Sequence, residues 1–147
     1  MINILVVHGP NLDLLGERAP QLYGKDTLEE INSLLEEEAE KNSIKLKIFQ
    51  SNSEGDIINF LKNNRKWAHG LVINPAAYTH TSVAIRDTIE ALGIPTIEVH
   101  LSNIYKREKF RHKSLIAPVS TAQISGLGKY SYILALQGMV SLIKEQK

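Results

Sequence analysis

The run INILVVHG, Ile2 to Gly9, constrains this chain most, because nearly every side chain in it is apolar. A strand with one wet face alternates apolar and polar residues. A strand without that alternation is covered on both faces, which points to a central strand of a parallel sheet with helices on either side. The segments downstream have the matching character. Asp26 and Thr27 can cap a helix with Glu29 and Glu30 in its first turn, and Leu28, Ile31, Leu34, Leu35 and Ala39 recur at helical spacing. IKLKIFQS alternates Ile44, Leu46 and Ile48 with Lys45 and Lys47, which predicts a strand exposed on one face at the sheet edge. Ser53 or Glu54 opens a helix through Ile57, Ile58 and Leu61 that ends near Asn64. GLVINP reads as a third strand, and SVAIRDTIEALG as a helix closed by Gly93. PTIEVHLS reads as a fourth strand and SLIAPVS as a short fifth. YSYILALQGMVSLIKEQK reads as a C-terminal helix with a cationic end.

Strands that alternate with helices predict an α/β doubly wound fold over residues 1–147, a single domain without repeats or linkers. The early edge strand suits a flavodoxin-like five-stranded parallel sheet of order 2-1-3-4-5, with helices on both faces. Ligands of such folds bind beyond the carboxyl ends of the strands. Composition narrows the chemistry. A formal charge of +1 supplies no bulk field for nucleic acid or membrane. The chain has no cysteine, which excludes disulfides, thiolate catalysis and cysteine-based zinc sites and fits a reducing cytoplasm. The N-terminus reads as a strand and not a signal peptide. No apolar stretch approaches the roughly 20 residues that span a bilayer, so no membrane partner is expected.

Four consecutive strand ends are polar: HGPNLDLLGERAPQLYG, QSNSEGD, NPAAYTHTS and EVHLSN. Four such ends on one edge of a sheet predict a pocket. None is a G-x-G-x-x-G or G-x-x-x-x-G-K-[ST] phosphate cradle. The first loop, GPNLDLLGERAP, lacks the hydroxyls of an FMN site, and Asn74 stands where a response regulator would want its phosphate-accepting Asp. In that first loop Arg18 precedes Tyr23, between Gly16 and Gly24, as in a hinged lid. Such a pair is either a solvated Arg beside a packing Tyr, or a phenol whose anion the guanidinium stabilises, giving a base. Glu98 and His100 point to one face of a strand. They are either a structural pair, or a carboxylate that orients an imidazolium acid. His80, His100 and Glu98 invite a metal reading, but no H-E-x-x-H or Cys/His cluster accompanies them, so no metal is expected. The stretch YKREKFRHK reads as a solvated surface helix, with a carboxylate clamp as the alternative; nucleic-acid binding ranks below both.

The motifs GPNLDLLGERAPQLYG, SNSEG, INPAAYTHTSVAIRD, EVHLSN and EKFRHKS, followed by ISGLGKYSY, resemble the signatures of type II 3-dehydroquinate dehydratase, in that family's order. The resemblance implies a flavodoxin-like lyase that converts 3-dehydroquinate to 3-dehydroshikimate in the shikimate or quinate pathway. It implies anti elimination through an enol or enolate, with no cofactor, metal or Schiff base. By matching motif, Tyr23 would be the base and Arg18 its stabiliser, Asn11 would hold the enolate, and His100, oriented by Glu98, would protonate the departing hydroxyl. Asn74, His80, Leu101, Ser102 and Arg111 would bind substrate. Asp87 would reach the site of a neighbouring subunit, in trimers packed into a dodecamer. His8 and Asp13 stand where the family more usually has Asn, away from the expected catalytic positions.

Overall fold

The computed structural model describes residues 1–146, so the last residue of the expected C-terminal helix, Lys147, lies outside the described residues. Five strands form one parallel sheet of order β2-β1-β3-β4-β5: β1 (Ile2–His8), β2 (Ile44–Gln50), β3 (Gly70–Asn74), β4 (Thr96–His100) and β5 (Ala122–Ser125). The helices are α1 (Pro20–Tyr23), α2 (Leu28–Lys41), α3 (Glu54–Asn63), α4 (Val83–Leu92) and α5 (Tyr130–Glu145).

The period-2 geometry of β1 divides its apolar run between two cores. Ile4 and Val6 face α2 and α5, where they meet Ile31, Leu35, Leu136 and Met139. Leu5 and Val7 face α3 and α4, where they meet Ile57, Leu61, Ile85 and Ile89. Each such side chain, fully withdrawn from water, contributes roughly 1.5–3 kcal/mol. Two-sided burial is why β1 and β3 read as continuous apolar segments. β2 lies at the edge with Lys45 and Lys47 exposed, as its alternation predicts.

The starts of α2, α3 and α4 follow side-chain capping. The Thr27 hydroxyl accepts from Glu30 N, that of Ser53 from Asp56 N and that of Ser82 from Ile85 N. Gly93 ends α4 in the left-handed conformation.

One expected element is wrong. SLIAPVS is not the fifth strand; it contains a 3-10 turn at Ala117–Val119, and β5 begins later, at Ala122. The Ser114 hydroxyl accepts from the amides of Ile116 and Ala117 and so curls the backbone. Pro118 lacks the N–H that a ladder needs. The basic stretch is likewise not one helix but two 3-10 turns, Ile104–Lys106 and Lys109–Arg111.

The parallel registers align strand ends: His8 pairs with Gln50 and Asn74, and His100 with Ser125. Chemistry borne just beyond the strands is thereby collected along one rim of the sheet. No helix among the described residues is long and apolar enough to cross a membrane.

Candidate active site

A cleft of about 580 Å³, counted out to its open mouth, lies over the carboxyl ends of β1, β3 and β4. Its polar lining comes from the loop after β1 (Asn11, Arg18, Tyr23), from the end of β3 and its connector (Asn74, His80), and from β4 and the turns after it (His100, Ser102, Arg107, Arg111). Leu101 supplies an apolar wall. Ten of the residues singled out from sequence thus meet at or directly behind one cleft, with Glu98 standing behind His100.

Two fall differently. Asp87 is exposed on α4 in a separate shallow depression shared with Lys62 of α3 and Arg65 in the turn after it. The loop after β2 does not line the cleft as its polarity suggested; it works on the loop that does. Asn52 Oδ1 accepts from the amide of Asn11 at 3.0 Å, and the Tyr78 hydroxyl donates to the Asn52 carbonyl at 2.7 Å. These bonds hold Asn11 in a left-handed conformation, φ 69°, which Asn tolerates better than most residues.

Arg18 and Tyr23 lie on a short excursion whose ends, Gly16 and Gly24, have φ of 90° and 86°, values that side chains rarely adopt. The Arg18 guanidinium carbon sits 4.9 Å from the centroid of the Tyr23 ring. A second guanidinium, that of Arg107, sits 5.1 Å from the same centroid. Arg107 is the main residue that sequence reasoning missed. It lies in a run of charges where nothing separates it from Lys106 or Lys109, yet its side chain is only 11% exposed. Its Nε is buried without a hydrogen-bond partner among the described residues. Two guanidinium groups thus lie within 5.1 Å of the centroid of one aromatic ring, in cation–π contact with it.

Glu98 is fully buried. Its Oε2 lies 2.5 Å from His100 Nε2 and accepts from the Thr79 hydroxyl at 3.1 Å; the Ser114 hydroxyl reaches Oε1 at 2.8 Å. Burial pushes the carboxyl up, but the hydrogen bonds and charge of His100, joined by Ser114, outweigh it and hold the group below its ordinary value. An ionised Glu98 therefore fixes His100 through Nε2. Thr79 and Ser114 also escaped sequence reasoning. Thr79 is one of the many polar residues of the β3–α4 connector, but its partner is 19 positions away. His80 Nδ1–H donates to the Lys113 carbonyl, 2.8 Å away; burial lowers its affinity for a proton, opposed by that carbonyl. Among the described residues, no group of three or more His, Cys, Asp or Glu is arranged to hold a metal ion.

Behind Asn74 lies a second polar cluster. Asn74 Nδ2 donates to the Tyr132 hydroxyl at 3.0 Å, and that hydroxyl lies 2.9 Å from His8 Nδ1. Burial lowers the His8 pKa from 6.5 to about 4, opposed by a hydrogen bond to Asn32. Between these values the unfolded chain binds a proton that the folded chain does not, so stability falls as pH drops from 6.5 toward 4. We expect His8→Asn to lose less stability than the parent over this window, by about 3 kcal/mol. Urea unfolding at the two ends of the window checks this, and parallel losses in both proteins would contradict it.

The family model "Dehydroquinase class II" matches residues 2–140. A 3-dehydroquinate dehydratase of Trichodesmium erythraeum (strain IMS101) is 54% identical over 146 residues, covering 99% of this chain and 97% of the relative. One from Nostoc sp. (strain PCC 7120 / SAG 25.82 / UTEX 2576) is 56% identical, with 97% of each chain covered. The crystal structure of the type II dehydroquinase from Butyrivibrio crossotus DSM 2876 superposes with a TM-score of 0.93 at 41% identity, covering 95% of this chain and 97% of that one.

Proposed function

The chain belongs to the class II dehydroquinases, and from that premise we propose that it dehydrates 3-dehydroquinate to 3-dehydroshikimate by anti elimination, with Tyr23 as base and His100 as acid. The observation that carries the mechanism is the placing of Tyr23, under two guanidinium groups, in the same cleft as the Glu98-bound His100. A binding module has no need of both.

The Tyr23 phenolate takes the proton on the carbon alpha to the ketone. The C–H electron pair forms an enolate, whose oxygen is held from the Asn11 side through water. The enolate then expels the hydroxyl, which leaves as water with a proton from His100. Loss of that proton turns an imidazolium into a neutral ring, and the Glu98 carboxylate keeps the ring oriented throughout. Arg18 and Arg107 offset the charge of the phenolate before proton transfer. Ser102 and Arg111 suit the substrate carboxylate, since Arg offers a bidentate fork. Asn74, His80 and the backbone at Leu101 suit its hydroxyls. Closing the excursion between Gly16 and Gly24 over the ring excludes water and strengthens these charges.

Asp87, outside this cleft, serves in this reading the cleft of a neighbouring subunit, in trimers assembled into a dodecamer. A folded monomer should therefore bind substrate weakly, and full-strength binding by a monomer would count against this role.

The direct test is ultraviolet absorbance after addition of 3-dehydroquinate. The product is a conjugated enone acid, so absorbance should rise, and should rise equally in excess EDTA. Bound substrate with no rise would overturn the lyase reading, and loss of the signal with chelator would overturn the metal-free one.

A further inference from the structure

His8, Asn32 and Tyr132 stand behind the cleft, and the mechanism above uses none of them. We propose that they form a hydrogen-bond relay that, together with the Ala76 amide, fixes the orientation of the Asn74 carboxamide, making His8 and Tyr132 positioning residues for substrate binding. This rests on the reading of Asn74 as a substrate-binding residue.

The direction of every bond follows from one end. The amide of Ala76 donates to a δ atom of Asn74 at 3.0 Å. Only an oxygen can accept it, so that atom is Oδ1 and the other is Nδ2. Nδ2 has hydrogens and no lone pair to offer, so it donates to the Tyr132 oxygen at 3.0 Å. Tyr132 is left with its own proton to give, and its neighbour is His8 Nδ1 at 2.9 Å. Nδ1 then carries the lone pair, and the single proton of the neutral imidazole sits on Nε2. From there it is donated to Asn32 Oδ1 at 2.8 Å. Burial keeps the ring neutral, which this pattern requires.

The relay has little freedom to rearrange. His8 and Tyr132 are fully buried and Asn74 nearly so, which excludes water as a substitute partner. Turning the Asn74 amide over would set Nδ2 against the Ala76 N–H, donor against donor. Once its two δ atoms are assigned, Asn74 has one N–H and one lone pair left to offer in the cleft. Without the relay Nδ2 loses its buried partner and the Ala76 N–H alone restrains the carboxamide, so its plane can turn and the pattern offered to substrate hydroxyls blurs. Binding then weakens in the ground and transition states alike, which raises KM and spares kcat.

The experiment measures kcat and KM for Asn74→Ala, Tyr132→Phe, His8→Leu, His8→Asn and the Asn74→Ala/Tyr132→Phe double variant, together with Tm. Tyr132→Phe and His8→Leu should each raise KM by roughly fivefold or more, with kcat within about twofold of the parent. His8→Asn places a carboxamide oxygen near the site of Nδ1 and should restore most of the KM lost in His8→Leu. Tyr132→Phe should add nothing to KM in the Asn74→Ala background, because the group it orients is gone. A raised KM in Asn74→Ala beside an unchanged KM in Tyr132→Phe would overturn the relay and leave the role of Asn74 standing. An unchanged KM in Asn74→Ala would overturn that role and the relay with it. A lowered Tm with unaltered KM, or His8→Asn no better than His8→Leu, would reduce the cluster to a structural one and refute the proposal.

Discussion

Tyr23→Phe is expected to lower kcat by about a thousandfold or more, within or beyond the range usual for a positioned base. The expectation follows from what the substitution removes and what it keeps. It deletes the oxygen that receives the substrate proton. The ring remains, and with it the packing of this partly buried side chain on the core and the contacts of both guanidinium groups with the ring face. Folding should be close to unchanged, and ligand affinity should fall by only a few-fold. Steady-state turnover, thermal unfolding and equilibrium binding of a ring carboxylate separate these effects. Activity within about tenfold of the parent would place the base elsewhere in the cleft.

His100→Ala should be the second large loss, with kcat down by roughly a hundred- to ten-thousandfold. A hydroxide leaves carbon poorly, so a missing acid is felt in the elimination step itself. Glu98→Gln tests the same step at one remove. Its amide keeps the shape and an acceptor for Ser114, but it brings N–H groups toward His100 Nε2 and removes the negative charge that stabilises the imidazolium. Its kcat should fall in the same direction by a smaller factor. Parent-like rates in both variants would show that the leaving group is protonated by another residue.

These residues differ in how far the chain alone announced them. Tyr23 with Arg18 and Glu98 with His100 were legible because each pair lies close in sequence, the first in the loop after β1 and the second at the end of β4. The β3–α4 connector was legible only as an excess of polar groups. Its Tyr78 and Thr79 turn out to serve other elements, tying down Asn52 in the loop after β2 and Glu98 on β4. SLIAPVS was misread because its apolar content fits a strand, while the Ser114 hydroxyl curls it through local amides. Arg107 was hidden among cations of the same type.

Amphipathic periodicity, two-sided apolar strands and capping residues determined the α/β layering and the strand order from the sequence itself. They record burial, and burial is imposed residue by residue along a strand or helix. The tertiary structure alone decided which polar atoms became partners. His8 and Tyr132 meet across 124 positions, and Arg107 reaches Tyr23 from a turn beyond β4. Hydrogen bonds and ion contacts act over a few ångströms between groups whose separation along the chain is arbitrary, so no local pattern encodes them.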